Sequence, residues 1–174
     1  LMFVLDQMRD AAAFICSDTY QVLAQNDLAK RLMGHRTSVT GALEESIAWQ
    51  WFTDPDSRSN APADDHAEHS QVTVADLRAT WARRRNDSYV CHLIEALLAH
   101  SAEFAQLWAR HEVAVRRMQR KTFVTKVGPI TLDCEVLATY DGQNLVVLTP
   151  PAGSSALDDL HLLRVVGDQA VDSH

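Results

Sequence analysis

The chain has 174 residues, a formal net charge of -7, and 47% hydrophobic residues. Its length fits one domain or a domain with tails, and its hydrophobic content is sufficient for a core. Because duplex DNA and anionic membrane surfaces both attract basic faces, this acidic chain is not expected to bind either one directly.

The cysteines and the apolar runs indicate a cytoplasmic protein. Cys16, Cys91 and Cys134 are odd in number and far apart, and each lies in an apolar segment. Such cysteines are typical of reduced core residues. No apolar run reaches the roughly 18 residues that a membrane span needs, and the apolar opening of the chain is too short for a secretory signal.

The first part of the chain predicts a helix, a β-hairpin and a second helix. Turn residues, Ser17 to Thr19, separate two short apolar runs, as in a hairpin. Asn26 follows the second run and is a typical N-cap, while Gly34 is a typical helix stop. The predicted elements are a helix over Leu1–Met8, strands over Ala13–Cys16 and Gln21–Ala24, and a helix over Asp27–Met33.

Apolar residues at helical spacing dominate the middle of the chain. A helix over Leu43–Phe52 should end before Pro55, because a residue preceding proline is disfavoured in the helical region. The polar stretch from Asp54 to Glu68 is expected to be a loop. Further helices are predicted over Val72–Arg85, Tyr89–His100 and Ser101–Val113, with Ser101 as the start of the last one.

After this helix the apolar period changes from 3.6 to 2. Strands are predicted over Thr122–Val127, Ile130–Tyr140 and Leu145–Thr149, with turns at Gly128-Pro129 and Asp141-Gly142. These three strands should form an antiparallel meander with one buried face. A short helix containing Leu157, Leu160 and Leu163 and a tail from Val165 follow. Together with the hairpin, the strands predict a five-stranded α+β domain.

Three local patterns allow a functional and a structural interpretation. His66 and His69, beside Asp64 and Asp65, could hold a metal, but a solvated loop is the simpler interpretation because no frame for further ligands is evident. Arg83 to Arg85 could clamp a phosphate or simply match the helix dipole. Cys91 and His92 are adjacent on a predicted helix and point about 100° apart, which is unsuitable for a thiol–imidazole pair. We therefore expect no enzyme activity and no cofactor; turnover abolished by changing His111 would indicate otherwise.

An ordered set of motifs resembles the ligand-binding domain of MmyB-like transcription regulators of the XRE class. The most specific is Ser101 to Val113, S-A-E-F-A-Q-L-W-A-R-H-E-V. The others include Val22 to Ala29, Phe52 to Pro55, Leu132 to Glu135 and Leu145 to Pro150. The resemblance runs from about Leu5 to Leu163. It departs at Gln25, where the family usually has Trp, and at His66, where an aromatic residue is usual.

The resemblance implies a PAS-like fold, with a five-stranded antiparallel sheet and helices packed on one face. It implies a sensor domain over residues 1–164, followed by a tail over 165–174. In the family an N-terminal helix-turn-helix domain precedes the sensor, and we expect that domain to be absent from this chain. The implied role is to bind a small apolar molecule, such as a fatty acid, and so alter DNA binding by the helix-turn-helix domain.

We expect a pocket between the sheet and the helices, lined by aromatic and aliphatic residues with a few polar anchors. His111 is the candidate anchor for a carboxylate or hydroxyl, with Arg117 behind it. The predicted lining residues are Phe14, Trp51, Phe52, Trp81, Phe104, Trp108, Leu132 and Cys134. Ordinary core packing is the alternative for each aromatic residue, and a satisfied core or helix-end histidine is the alternative for His111.

A second hypothesis is that the domain mainly dimerises the regulator. The helices over Leu1–Met8 and Leu157–Leu163 have apolar faces that one domain cannot fully cover, and exposed apolar faces mark interfaces. A two-fold homodimer would present two helix-turn-helix domains to a palindromic site. Sensing and dimerisation are compatible.

Overall fold

The computed structural model describes residues 1–110 and 119–169. These residues form a five-stranded sheet, seven α-helices and three short 3-10 helices. The strands are β1 (Ala12–Ser17), β2 (Val22–Gln25), β3 (Gln119–Thr125), β4 (Gly128–Ala138) and β5 (Gln143–Thr149). The α-helices are α1 (Met2–Gln7), α2 (Asp27–Met33), α3 (Ile47–Thr53), α4 (His66–Arg83), α5 (Ser88–His100), α6 (Ala102–Ala109) and α7 (Ala156–Gln169).

The strands pair antiparallel in the order β2-β1-β5-β4-β3. The hairpin β1–β2 and the meander β3–β4–β5 are thus joined through β1 and β5, where Phe14 pairs with Val146. The α+β class and the five-stranded antiparallel sheet predicted from the sequence are confirmed.

Each face of the sheet has its own cover. The side chains of Ala12, Leu132 and Leu148 lie on one face, beneath α2 and α7. On the opposite face, Leu5 of α1 packs against a smaller cluster that includes Ile15. α1 is therefore an exception to the expectation that the helices pack on one face, because alternating residues of β1 and β5 are apolar on both sides.

A second core holds four helices together away from the sheet. Helices α3 to α6 contribute to it, with Leu77, Leu93, Leu97 and Phe104 fully buried at its centre. The face of α4 predicted to be buried, with Val74 and Leu77, lies in this core. The other side of α4 is consequently free to face the sheet.

Two helix boundaries differ from prediction at their starts. The predicted helix over Leu43–Phe52 is divided, because Ser46 accepts a hydrogen bond from the amide of Trp49 and starts α3 at Ile47. α4 begins at His66, within the stretch expected to be a loop. Apart from the buried Ser70, the polar residues of α4 before Val72 are exposed or half-buried, and such residues give no apolar periodicity.

A turn and a helix end also differ. The β3–β4 turn is at Lys126-Val127, while Gly128 and Pro129 belong to β4. The turn is closed by Thr125, whose hydroxyl donates to the carbonyl of Gly128 and accepts from the amide of Val127. α7 continues past Leu163 to Gln169, into the stretch expected to be a tail. None of the helices in residues 1–110 and 119–169 is long and apolar enough to cross a membrane.

Candidate ligand-binding cavity

A cavity of about 1020 Å³ lies between the sheet and α4. Its floor is the sheet face that carries α2 and α7, at the part that these helices do not cover. The floor is apolar and spans three adjacent strands, β1, β5 and β4. Its main residues are Phe14, Cys16, Cys134, Val136, Val146 and Leu148.

The roof is one side of α4 and is more polar than the floor. Cavity-facing residues recur at helical spacing along this helix, on the side turned away from Val74 and Leu77. They include Glu68, His69, Val72, Asp76, Ala79 and Arg83. An apolar floor opposite a polar roof suits an amphiphilic molecule.

The β1–β2 turn attaches the C-terminal half of α4 to the sheet. The hydroxyl of Tyr20 donates to the Asp76 carboxylate at 2.8 Å, and Thr80 donates to the carbonyl of Asp18 at 3.1 Å. The Asp18 carboxylate also forms ion pairs with Arg84 and, at 3.9 Å, with Arg83. These contacts fix the distance between α4 and the sheet at this end of the cavity.

Residues 54–65 form a strap that closes the cavity beside β3. β3 is an edge strand, and the outward amide of Val124 donates to the carbonyl of Asn60 at 2.9 Å. Arg58 holds the strap to the helical core, because its guanidinium donates to the Trp51 carbonyl and to Glu103, both at 2.7 Å. Ser57, Asn60 and Ala61 thereby become part of the cavity wall.

His69 and Lys121 lie near each other in the cavity wall at the β3 end. The His69 ring packs on Trp51, with the ring centroids 4.2 Å apart. Burial first, and then the positive fields of Lys121, His66 and Arg58, together lower the pKa of His69 from 6.5 to about 3. His69 is therefore a neutral imidazole at physiological pH.

Three of the predicted lining residues, Phe14, Trp51 and Cys134, line the cavity. Leu132 is fully buried beneath α2 and α7. Two predicted anchors, His111 and Arg117, lie outside the described residues. The other four predicted residues pack in the helical core instead, as the aromatic network of Phe52, Phe104, Trp81 and Trp108.

Sequence reasoning missed the polar side of α4 and Lys121. Glu68, Val72, Asp76 and Arg83 lie at helical spacing in the sequence, but polar residues at this spacing are also typical of a solvent-exposed helix face. Lys121 directly precedes the strand predicted over Thr122–Val127 and carries no signal of burial. Lys121 pairs with Leu132, so the β3–β4 register, once known, places Lys121 on the same sheet face as Leu132 and Cys134.

Several of the residues considered for other chemistry make structural contacts. His66 and His69 lie on α4, and the described residues contain no group of three or more potential metal ligands. Arg84 pairs with Asp18 and Asp87, and Arg85 lies over the Trp81 ring at 5.0 Å. Cys91 donates to the carbonyl of Arg85. These contacts join helices α4 and α5 to each other and to the hairpin.

No curated protein matches the chain. A family model described as the MmyB-like transcription regulator ligand binding domain matches residues 1–163. This match covers nearly the whole chain, including the sheet, α4 and the cavity between them. The chain therefore belongs to the family of MmyB-like transcription regulator ligand binding domains.

Proposed function

We propose that this chain is the ligand-sensing domain of a bacterial XRE-class regulator and that its cavity binds a small apolar or fatty-acid-like molecule. The observation that carries the proposal is the cavity of about 1020 Å³ over the apolar sheet floor. Ligand pockets in proteins reach about 1,000 Å³ and combine an apolar lining with a few polar groups. The cavity has both features.

The connections of α4 provide a route from the ligand to the rest of the regulator. Tyr20 and Thr80 hold α4 to the β1–β2 turn. A ligand between the sheet and α4 would stabilise some placements of this helix relative to the sheet more than others. α4 also packs on α6 and α5 in the helical core. Ligand binding that favours one position would shift the population of regulator conformations.

The remaining parts of the proposal follow from this role. The domain acts in the cytoplasm, without a cofactor, and it is a regulator rather than an enzyme. It contacts DNA only through a separate helix-turn-helix domain and does not bind membranes. The acidic net charge of -7 supports the absence of direct DNA contact.

A pair of tryptophan substitutions on α4 tests the proposal. Ala79 and Ala82 are both exposed on α4, but only Ala79 lines the cavity. We expect 1-decanol and decanoate to raise the unfolding temperature of the wild-type chain, because a ligand that binds only the folded state stabilises it. Ala79→Trp should remove this effect by filling the cavity, and Ala82→Trp should retain it.

Isothermal titration calorimetry on the same three proteins gives the stoichiometry. We expect one ten-carbon amphiphile per cavity in the wild type and in Ala82→Trp, and none in Ala79→Trp. The proposal fails if neither 1-decanol nor decanoate binds the wild type, or if Ala79→Trp binds them as well as Ala82→Trp does.

Dimerisation is a second candidate function, favoured by exposed apolar residues on α1 and α7. Phe3 is 76% exposed, and Leu162 and Val165 are about half exposed, at 49% and 56%. α7 also reaches the segment that follows α1, since the His161 ring is 3.9 Å from the Asp10 carboxylate. A second copy of the chain would cover these residues in a two-fold dimer.

A further inference from the structure

Lys121 reaches the cavity from the edge strand of the sheet. It pairs with Leu132 in the β3–β4 register, and directly opposite residues project to the same face. That face forms the cavity floor, and Lys121 lies in the cavity wall, half-buried. Its neighbour Arg120 pairs instead with Asp133, at 2.9 Å.

Lys121 has no carboxylate partner within residues 1–110 and 119–169. Among the side chains that the structure describes, none forms a hydrogen bond or an ion pair with Lys121. By contrast, Arg58, Arg84 and Arg120 each have a carboxylate partner. Because a partly buried cation is costly without a counter-charge, Lys121 favours an anion in the cavity.

The groups around Lys121 are compatible with an anion. His69 is neutral, so it can donate one hydrogen bond to an oxygen without requiring a counter-charge. Among the acidic groups of the cavity, Asp18 is paired with Arg84, and Asp76 accepts from Tyr20. The other three, Asp65, Glu68 and Glu135, are exposed to solvent.

We propose that Lys121 is the specificity-determining residue of this cavity and selects amphiphiles with an anionic carboxylate head. This inference rests on the proposed ligand-sensing function. The head lies between Lys121 and His69, and the alkyl chain crosses the floor over Val136 and Val146 towards Phe14. Three strand spacings, about 14 Å in all, separate β3 from β1.

The floor sets the length of the probe. An extended chain advances about 1.25 Å per bond, so about 14 Å accommodates roughly ten to twelve carbons. Decanoate, 1-decanol and decylamine share an alkyl chain and differ in the charge of the head. We expect the wild-type chain to bind decanoate roughly 10- to 100-fold more tightly than 1-decanol, as a charge-assisted hydrogen bond provides, and decylamine least tightly.

Lys121→Met should abolish this preference without removing 1-decanol binding, since the methionine retains much of the lysine stem in an unbranched apolar side chain. Lys126→Met is the matched control, because Lys126 is exposed in the adjacent turn and does not line the cavity. It should retain the wild-type preference for decanoate. Calorimetric titration of the three proteins with the three probes measures these ratios.

The outcomes separate this inference from the proposed function. Equal affinity of the wild type for decanoate and 1-decanol, or an unchanged preference in Lys121→Met, overturns the role of Lys121 and leaves an apolar ligand in place. Failure of all three probes to bind the wild type overturns both.

Discussion

The surroundings of His69 determine its charge. Its ring lies against Trp51, and burial is the largest cause of its lowered pKa of about 3, ahead of the positive fields of Lys121, His66 and Arg58. An unfolded chain restores the ordinary value of 6.5. Between these two values the unfolded state binds a proton that the folded state does not.

This difference predicts how the stability of the chain depends on pH. The contribution of His69 is fully present above about pH 6.5 and decreases as the pH falls towards 3, by at most about 1.4 kcal/mol per pH unit. We expect His69→Gln to lose less stability than the wild type between pH 6.5 and about 4. Urea unfolding at several pH values measures the slope.

His92→Gln serves as the control for this slope, because His92 is exposed on α5. Its stability should follow the wild-type dependence on pH. Equal slopes for His69→Gln and the wild type would show that His69 titrates alike in the folded and unfolded states.

Asn26 joins three elements at the start of α2. Its side-chain oxygen accepts from the amides of Ala29 and Ala13, at 2.9 and 3.1 Å. Its side-chain nitrogen donates to the carbonyls of Met8 and Ala11, at 2.9 and 2.8 Å. The sequence predicted the helix cap, but the bonds to the segment before β1 depend on the tertiary fold.

We expect Asn26→Ala to destabilise the chain by about 2–4 kcal/mol, because it removes a helix cap and leaves other backbone groups without partners. Ser101→Ala is the comparison, since Ser101 caps α6 through the amide of Phe104 and should cost about 1 kcal/mol. Urea unfolding midpoints measure both changes. A smaller loss in Asn26→Ala than in Ser101→Ala would contradict this account.

At the scale of elements, α4 shows what a sequence pattern can predict. Val74 and Leu77 are apolar residues at helical spacing, and both are buried as expected. The start of the helix at His66 and the cavity-facing side of Asp76 and Arg83 were not predicted. Polar residues on a helix look the same in a sequence whether they face solvent or a cavity, and only the position of the sheet distinguishes these cases.

At the scale of the whole molecule, the chain has a sheet core and a helical core, with the cavity at their junction. Period-2 alternation predicted the strands, and the motif resemblance predicted the family, but neither fixed the pairing of β1 with β5. The large aromatics Phe104 and Trp108 were expected at the junction and instead fill the helical core. Hydrophobicity predicts burial, but it does not indicate which of two cores a residue joins.

The last prediction concerns the apolar faces of α1 and α7 as a dimer interface. We expect the wild-type chain to sediment as a dimer at micromolar concentration, because apolar side chains at an interface centre favour association. Phe3→Glu should shift the equilibrium towards monomer, since it places a charge at a position that is 76% exposed in one copy and covered in the dimer. Val39→Glu is the control, because Val39 is 84% exposed on a loop outside this face.

A monomeric wild type at high micromolar concentration, or equal behaviour of the two variants, would rule out this interface. The cavity lies on the other side of α4 from the helical core and does not include Phe3, so ligand binding by Phe3→Glu should remain intact.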